Sequence, residues 1–308
     1  MKISYWKKMI FGCLVFSLIP IFSATAAAKT TIKSAVKKTT PIAYKQPVRD
    51  PNVEDFIPEQ NMFASAVVID AATNKELYAF KPTKKWPAAS LTKLMTALVF
   101  VEKRPSWNTV VKLSKADEVG GGRLRLAVGS RFTVRDAFYS SLVGSANNAT
   151  MALARSTGYS KKGFLNLMNK KAKAIGMTSS SYADPSGMEP TNIITARDMV
   201  KLMRASFAYS EIQKAASTGT YKFTAKNPTV QKTILTTDKL KGQTDLRILG
   251  AKTGFLYESE YNFVMKVRPE NQTGKDLYVV VLGAPTKQGS FQAAESLAKW
   301  ALRAYKWN

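Results

Sequence analysis

Short β-type runs of apolar residues lie near both ends of the sequence, and apolar residues recur at helical spacing between them. Phe63 to Ile69 and Glu76 to Phe80 predict two strands, which the turn residues Asp70 to Asn74 join as a hairpin. Three later strands are predicted at residues 246–251, 262–267 and 278–282. The segments before and after the middle of the chain are therefore expected to be β-structure.

The middle of the chain is predicted to be helical. From Ser90 to Glu102 the apolar residues fall at helical spacing, while Ser90, Lys93 and Ala97 lie together beside the apolar stripe. Two further helices are expected to begin at the capping pairs Thr133 with Asp136 and Thr195 with Asp198. Including these two, the predicted helices after the first cover residues 137–143, 148–154, 163–175, 195–206 and 291–305. Strands at both ends with helices between them indicate an α+β domain with a helical insertion.

Residues 1–26 have the features of a secretory signal peptide. Lys2, Lys7 and Lys8 precede the apolar run Met9 to Phe22, and small residues follow it, so cleavage is expected near residue 26 or 28. The protein is therefore expected to be exported and to act in the periplasm, or on the cell-wall side of the inner membrane, as a soluble or peripheral protein. The single cysteine, Cys13, lies in the apolar run, so the mature chain is expected to have no thiol chemistry.

The charge of the chain is strongly basic. Its 308 residues include 46 Lys and Arg against 21 Asp and Glu, a formal net charge of +25. Residues 27–60, which are rich in Lys, Thr and Pro, predict an extended linker or tail. So large an excess predicts an anionic partner, and for an exported chain a wall polymer or membrane surface is favoured over nucleic acid. High solubility alone is the alternative explanation.

The chain contains no histidine, and this limits the catalytic mechanisms that it can use. A Ser-His-Asp triad, a Cys-His dyad and a His-ligated zinc are thereby excluded. Ser90 and Lys93 instead place a hydroxyl nucleophile and an amine base one helical turn apart. The same spacing occurs at Ser4, Ser34 and Ser296, but only Ser90 begins a buried helix. There, unpaired N–H groups can stabilise negative charge developing on an attacked carbonyl.

Two further motifs follow in a fixed order. Ser145-Ala146-Asn147 lies between two predicted helices, and Lys252-Thr253-Gly254 lies on a predicted strand. Each is weak alone, since Ser106-Trp107-Asn108 has the same pattern as the first. The ordered set of three is typical of penicillin-binding proteins and class A β-lactamases.

With these motifs in view, the chain resembles the serine D-alanyl-D-alanine carboxypeptidases, the low-molecular-mass penicillin-binding proteins of peptidase family S11. The resemblance covers residues 62–305 and extends to residues 87–97, 168–177, 184–188 and 195–198. It implies a β-lactamase/transpeptidase-like α+β fold, in which an antiparallel sheet packs between helices beside a helical subdomain. It also implies peptidoglycan as substrate and β-lactam antibiotics as covalent inhibitors, with no metal, cofactor or nucleic acid; the oligomeric state is left open.

The same resemblance assigns roles to individual residues. Ser90 would be the nucleophile and Lys93 its base, while Ser145 would relay the proton to the leaving amine. The substrate-binding residues would be Asn147, Lys252, Thr253, Gly254 and Phe255. Among these, Asn147 would also orient Lys93, Thr253 would bind the substrate carboxylate, and the N–H groups of Ser90 and Phe255 would form the oxyanion hole.

Three positions depart from the family pattern. Asn148 occurs where aspartate is common, Thr236-Thr237-Asp238 replaces an Asn-x-Asn segment, and Ser259-Glu260 replaces a small Ala-Gly stretch. Glu260 is expected to face solvent, although an effect on specificity is the alternative.

Several functions stay open at this point. Residues 61–308 are expected to form the catalytic domain without a separate C-terminal β domain, which slightly favours a compact D,D-endopeptidase over a carboxypeptidase. A β-lactamase is suggested by Glu189 to Asn192, although that spacing is one residue short, and an inactive basic wall-binding protein is a third alternative. The last helix, with Trp300 and Trp307, is expected to pack on the sheet rather than anchor the protein to a membrane.

Overall fold

The structure is a computed structural model that describes residues 45–103, 105–242 and 244–307. Its helices are α1 (Thr92–Val101), α2 (Val134–Leu142), α3 (Asn147–Arg155), α4 (Lys161–Ala174), α5 (Ala196–Phe207), α6 (Ser210–Ala216) and α7 (Lys287–Ala304). Short 3₁₀ turns cover Ala89–Leu91 and Lys115–Asp117. The predicted signal peptide, Cys13 and the first part of the predicted linker lie outside the described residues.

The strands complete the element order. They are β1 (Val48–Arg49), β2 (Ser65–Asp70), β3 (Glu76–Phe80), β4 (Trp86–Pro87), β5 (Val110–Lys112), β6 (Arg131–Thr133), β7 (Ile193–Ile194), β8 (Thr220–Ala225), β9 (Val230–Leu235), β10 (Leu246–Leu256), β11 (Glu260–Pro269), β12 (Leu277–Ala284) and β13 (Tyr305–Lys306). Five of them form an antiparallel sheet in the order β10-β11-β12-β2-β3. The strands predicted before and after the helical middle therefore meet in one sheet.

The central sheet is buried on both faces because successive side chains of a strand point to opposite sides. Val67 and Val280 face a core shared with α1 to α6, whereas Val68 and Val279 face a second core shared with α7. Every residue of β12 is buried. This arrangement of a sheet between helical layers confirms the predicted α+β class.

The helix that follows Ser90 is buried on all sides. Each residue of α1 from Thr92 to Val101 is buried, including Lys93. The α-helix begins two residues later than predicted, because Ala89 to Leu91 form a 3₁₀ turn after Ala89 adopts a φ of 47°. That turn places Ser90 at the rim of the helix and Lys93 in its first turn.

Local signals located several element ends correctly. Thr133 Oγ1 accepts from Asp136 N at 3.1 Å, and Thr195 Oγ1 accepts from Asp198 N at 3.1 Å, so both predicted caps are confirmed. Helix α6 and the β8–β9 hairpin were not predicted. The hairpin had a detectable signal, since Tyr221 and Phe223 alternate with exposed polar residues as a half-buried strand requires.

The last helix packs on the sheet, as expected. Trp300 is buried among the residues of the second core, and its Nε1 donates to Glu54 O at 2.9 Å. Phe56 lies against Tyr78 with ring centroids 5.5 Å apart, and β1 pairs with β13. Part of the segment predicted as a linker thus contacts the domain, while its boundary at residue 61 stays a prediction. Within the described ranges, no helix has the length and apolar character needed to cross a membrane.

Candidate active site

The three sequence motifs meet at a cleft of about 780 Å³ beside the edge strand β10. Ser90, Ser145 and Asn147 line it from the helical side, and Thr253 to Phe255 line it from the strand. Glycine at position 254 suits this close approach, because a Cβ there would be crowded at 3.1 Å from Ala88 O and 3.3 Å from Ser90 N. Residues far apart in sequence thereby come within reach of one substrate.

Lys93 makes three contacts at its amine. Its Nζ lies 2.7 Å from Ser90 Oγ, 2.6 Å from Asn147 Oδ1 and 2.5 Å from Ser186 O. The amide and carbonyl oxygens can only accept hydrogen bonds, whereas a hydroxyl can also donate. When the amine is neutral, its two hydrogens can go to Asn147 and Ser186, which leaves its lone pair for the Ser90 hydroxyl.

Burial favours that neutral amine. Lys93 is fully buried, and desolvation lowers its pKa from 10.5 to about 7, although the nearby Asp184 carboxylate acts in the opposite direction. The group can therefore accept a proton near neutral pH, which is the property that a general base requires.

Ser145 forms a second hydroxyl–amine pair. Lys252 Nζ donates to Ser145 Oγ at 2.8 Å and to Thr253 O at 2.9 Å. Burial is the main reason that the pKa of Lys252 lies well below its ordinary value, and repulsion from Lys93 is a smaller second cause. The cleft thus holds two serine hydroxyls, each in contact with its own buried lysine.

Negative charge on a substrate oxygen can be stabilised where the helix meets the strand. Ser90 lies in the 3₁₀ turn that precedes α1, where the first backbone N–H groups have no partner within the turn. Phe255 lies opposite on β10, at the edge of the central sheet. The two predicted oxyanion donors consequently belong to elements that border the same cleft.

Some residues of the site were not predicted to have a role in it. The Asp184 carboxylate accepts from Ser186 N at 2.9 Å and Gly187 N at 2.9 Å, which fixes the turn whose Ser186 carbonyl contacts Lys93. Thr237 Oγ1 lies 2.7 Å from Thr253 Oγ1 and lines the cleft. The Ser186 carbonyl belongs to the backbone, so its role has no signal in the sequence. Thr237 did have one, because it lies in the 236–238 segment that departs from the family pattern.

The departures from the family pattern have separate structural settings. The Glu260 side chain is exposed, as expected. Asp238 is buried, which raises the pKa of its carboxyl, and its Oδ1 accepts from Leu240 N at 2.9 Å. Asn148 is buried behind the cleft and contacts Glu118 and Leu124.

Comparison with known proteins agrees with this fold and cleft. The family profile for peptidase S11, D-alanyl-D-alanine carboxypeptidase, matches residues 55–286. Over 238 residues the chain is 32% identical to a D-alanyl-D-alanine endopeptidase of Escherichia coli, covering 77% of this chain and 76% of that protein. Over 240 residues it is 30% identical to a D-alanyl-D-alanine carboxypeptidase of Bacillus subtilis, covering 76% of this chain and 60% of that protein.

Solved structures show the same architecture. The Streptomyces K15 DD-transpeptidase superposes with a TM-score of 0.75 at 21% identity, over 80% of this chain and 100% of that chain. Penicillin-binding protein D2 of Listeria monocytogenes, in a cefotaxime-bound form, has a TM-score of 0.70 at 25% identity with the same coverage.

The fold is therefore that of the transpeptidase-like penicillin-binding proteins. Within that class, the chain belongs to the D-alanyl-D-alanine carboxypeptidase family, peptidase family S11. The family resemblance, the fold and the serine-hydrolase class predicted from the sequence are confirmed.

Proposed function

We propose that this serine D,D-peptidase is an endopeptidase that hydrolyses D,D-peptide bonds in cross-linked peptidoglycan stem peptides. The observation that carries the proposal is the buried Lys93 amine, whose two acceptor partners leave its lone pair to the Ser90 hydroxyl. The endopeptidase choice is supported by relatives of that name at 32% identity. Removal of a terminal D-alanine by the same chemistry is the second candidate, supported by relatives named carboxypeptidases.

Acylation uses the residues on the helical side of the cleft. Ser90 Oγ attacks the carbonyl carbon and forms a C–O bond while its proton passes to Lys93 Nζ. The N–H groups of Ser90 and Phe255 stabilise the resulting oxyanion. When the C–N bond breaks, Ser145 relays a proton to the departing amine, so the proton lost by Ser90 is balanced.

Deacylation reverses the roles. A water molecule attacks the ester carbonyl and gives its proton to Lys93, which passes a proton to Ser90 Oγ as the C–O bond breaks, so that the hydroxyl and the neutral amine are both restored. Asn147 holds the substrate amide, while Lys252 supplies positive potential. The paired hydroxyls of Thr253 and Thr237 are suited to bind a substrate carboxylate.

Covalent inhibition by β-lactams follows from the same acylation step, and a cefotaxime-bound relative supports it. Fluorescent penicillin is expected to label the purified protein but not Ser90→Ala. Absence of labelling in the folded wild type would overturn the enzymatic proposal in favour of an inactive wall-binding protein. Mass analysis of wall fragments distinguishes the two peptidase candidates, since cleavage of cross-linked dimers and loss of one D-alanine give different products.

A β-lactamase activity has less structural support. Glu189 is exposed, while its neighbours Met188 and Pro190 line the cleft, so the carboxylate is not presented as a deacylating base would be. A long-lived acyl-enzyme is therefore expected with a chromogenic cephalosporin. Rapid turnover of that compound would contradict this expectation.

We also propose that the basic charge serves to bind an anionic wall polymer. Lys112 lies opposite Arg131 in the β5–β6 pair, and Arg131 forms a bridge with Lys226, so three exposed cations stand side by side. Opposed like charges destabilise a sheet, and none of the three forms an ion pair with another described residue. A polyanion bound across Lys112, Arg131 and Lys226 would relieve that repulsion.

The polymer proposal is tested by co-sedimentation with intact walls, with anionic vesicles as a second ligand. Replacing Lys112, Arg131 and Lys226 with Gln is expected to weaken salt-sensitive wall binding several-fold. A control that replaces the exposed Lys161, Lys162 and Lys170 of α4 with Gln changes the net charge equally. Equal loss in both variants would contradict a specific surface, and binding to vesicles alone would favour a membrane.

We propose, finally, that residues 1–26 direct export and are removed. N-terminal sequencing of the protein from a periplasmic fraction is expected to begin near residue 27 or 29. Recovery of the intact N-terminus from the cytoplasm would contradict this.

A further inference from the structure

A glycine-rich loop beside the cleft is fastened at both ends to one buried amide. The loop runs from Glu118 to Leu124 and includes the sequence Gly120-Gly121-Gly122. Asn148 Oδ1 accepts from Leu124 N at 3.0 Å, and Asn148 Nδ2 donates to Glu118 Oε1 at 2.8 Å. Asn148 is 1% exposed and its bond to Leu124 N is buried, whereas the Glu118 side chain is only partly buried.

The same loop holds the residue that precedes Asn148 in the chain. Asn147 N donates to Gly122 O at 2.6 Å, and Asn147 Nδ2 donates to Gly120 O at 2.9 Å. These two carbonyls leave only the amide oxygen of Asn147 free for Lys93, whose Nζ lies 2.6 Å away. A reversed amide would set Oδ1 against Gly120 O, two acceptors facing each other, so the loop fixes the amide orientation.

Three consecutive glycines do not hold such a shape unaided. Glycine loses more backbone freedom on ordering than any other residue, and Gly121 and Gly122 are exposed. Gly121 also has a φ of 63°, and a Cβ there would lie 2.6 Å from Asn147 Nδ2, so a stiffer residue does not fit. Apart from the two bonds to Asn147, the order of the loop therefore depends on its ends, which are the points that Asn148 fastens.

We propose that Asn148 is a positioning residue that acts through the 118–124 loop to set the amide of Asn147 and, through it, the Lys93 amine. The inference rests on the proposed roles of Asn147 and Lys93. It requires an amide at position 148 because one partner is a carboxylate that accepts and the other is an N–H that donates. An aspartate at this position would place two carboxylates within hydrogen-bond distance.

The charged groups around this contact are few among the described residues. Arg123 lies 3.9 Å from the second oxygen of Glu118, and the Asp117–Arg155 ion pair, at 2.7 Å, lies on the adjacent 3₁₀ turn and α3. Arg123 is too distant and too exposed to neutralise a second carboxylate. Asn148→Asp is therefore expected to force either protonation of the pair or release of the loop.

Exchange of donor and acceptor gives the decisive experiment. Asn148→Asp is expected to slow labelling by fluorescent penicillin at neutral pH at least about tenfold, because the partly buried Glu118 carboxylate loses its donor and meets a second carboxylate. Relative to the wild type, that deficit should shrink as the pH falls and one carboxyl takes up a proton. The double variant Asn148→Asp with Glu118→Gln reverses the bond, since the introduced glutamine amide donates to the introduced carboxylate, and it should restore most of the rate.

A matched control separates positioning from stability. Asn169→Asp makes the same substitution in α4, where the Asn169 amide donates to Leu165 O and Tyr182 O. It is expected to lower Tm without changing the labelling rate of the folded protein. Normal labelling by Asn148→Asp, or a folded double variant that stays as slow as Asn148→Asp, would overturn the proposal.

Hydrogen exchange distinguishes this inference from the proposed function. The amides of Leu124 and Asn147 should exchange faster in Asn148→Asp and return to wild-type protection in the double variant, whatever peptide bond the enzyme cleaves. If the wild type labels with penicillin yet leaves cross-links intact, the endopeptidase proposal fails. The positioning role of Asn148 is then still tested by both the labelling rate and hydrogen exchange. Unchanged exchange in Asn148→Asp would overturn the positioning role of Asn148 and leave the proposed function untouched.

Discussion

Lys252 Nζ lies 2.8 Å from Ser145 Oγ, so a second buried lysine is joined to the cleft through a hydroxyl. Ser145 has a φ of 58°, in the left-handed region that residues other than glycine seldom adopt. Strain of this kind persists where surrounding contacts hold it, and it is common at functional sites. Repulsion from Lys93 contributes to the lowered pKa of Lys252, so the two hydroxyl–amine pairs are electrostatically coupled.

Acylation of Ser90 is expected to accelerate as the pH rises through about 7. Burial lowers the pKa of Lys93 to about 7, and only the neutral amine can accept the serine proton. Below that pH, the neutral fraction falls about tenfold per unit. The rate constant for labelling by fluorescent penicillin, measured from about pH 5 to pH 9, checks this. Lys103→Met, at a lysine whose Nζ contacts Tyr159 OH, should keep the profile, and a flat wild-type profile would contradict it.

Gly187→Ala is expected to destroy the site and destabilise the fold by about 3 kcal/mol or more. A Cβ at this position would lie 1.9 Å from Ala89 O, beside the proposed nucleophile Ser90, and the φ of 86° is itself unfavourable for alanine. Gly274→Ala is the matched control, because its φ is 84° but no atom lies within 4 Å of the added Cβ. That variant should cost only about 1 kcal/mol and label normally. Chemical denaturation measures both, and equal costs would show that the contact with Ala89 does not matter.

The sequence contained enough to predict that Ser90 and Lys93 meet, because a spacing of three residues brings the two side chains together across the 3₁₀ turn and the start of α1. It also predicted the caps at Thr133 and Thr195, which depend on a side chain and an amide three residues away. Ser186, however, reaches Lys93 through a backbone carbonyl from 93 positions further along the chain. Such a contact depends on the tertiary fold alone, and no pattern of side chains in the sequence predicts it.

The same limit explains the missed parts of the fold. The sequence of residues 45–57 predicts an extended linker, because prolines and charges break any periodicity. In the structure, however, the Phe56 ring packs against the rings of Tyr78 and Trp300. Those partners come from β3 and α7, so the surface exists only after the domain has formed. The β8–β9 hairpin was missed for a different reason, since its alternating pattern was present but unused.

Phe56→Ala is expected to lower the free energy of unfolding by about 1 to 2 kcal/mol, because it removes a ring packed between Tyr78 and Trp300. The neighbouring Ile57 is 85% exposed, and Ile57→Ala should change stability by less than about 0.5 kcal/mol. Penicillin labelling should be normal in both, since neither residue lines the cleft. Urea denaturation provides the measurement. Equal stability of the two variants would indicate that the segment before residue 61 does not contribute to the domain.

Lys93→Met is expected to remove a pH dependence of stability while abolishing acylation. The pKa of Lys93 is lowered from 10.5 to about 7 on folding, so between these values the unfolded chain binds the proton more readily. Stability that this group contributes is therefore present above the unfolded pKa and is lost as the pH falls toward 7, by about 1.4 kcal/mol per pH unit. The difference between wild type and Lys93→Met, measured by urea denaturation at about pH 8 and about pH 9.5, should show that slope. Lys103→Met should keep the wild-type slope. Identical slopes in wild type and Lys93→Met would mean that the amine stays charged in the fold, and the neutral-base mechanism would then have to be abandoned.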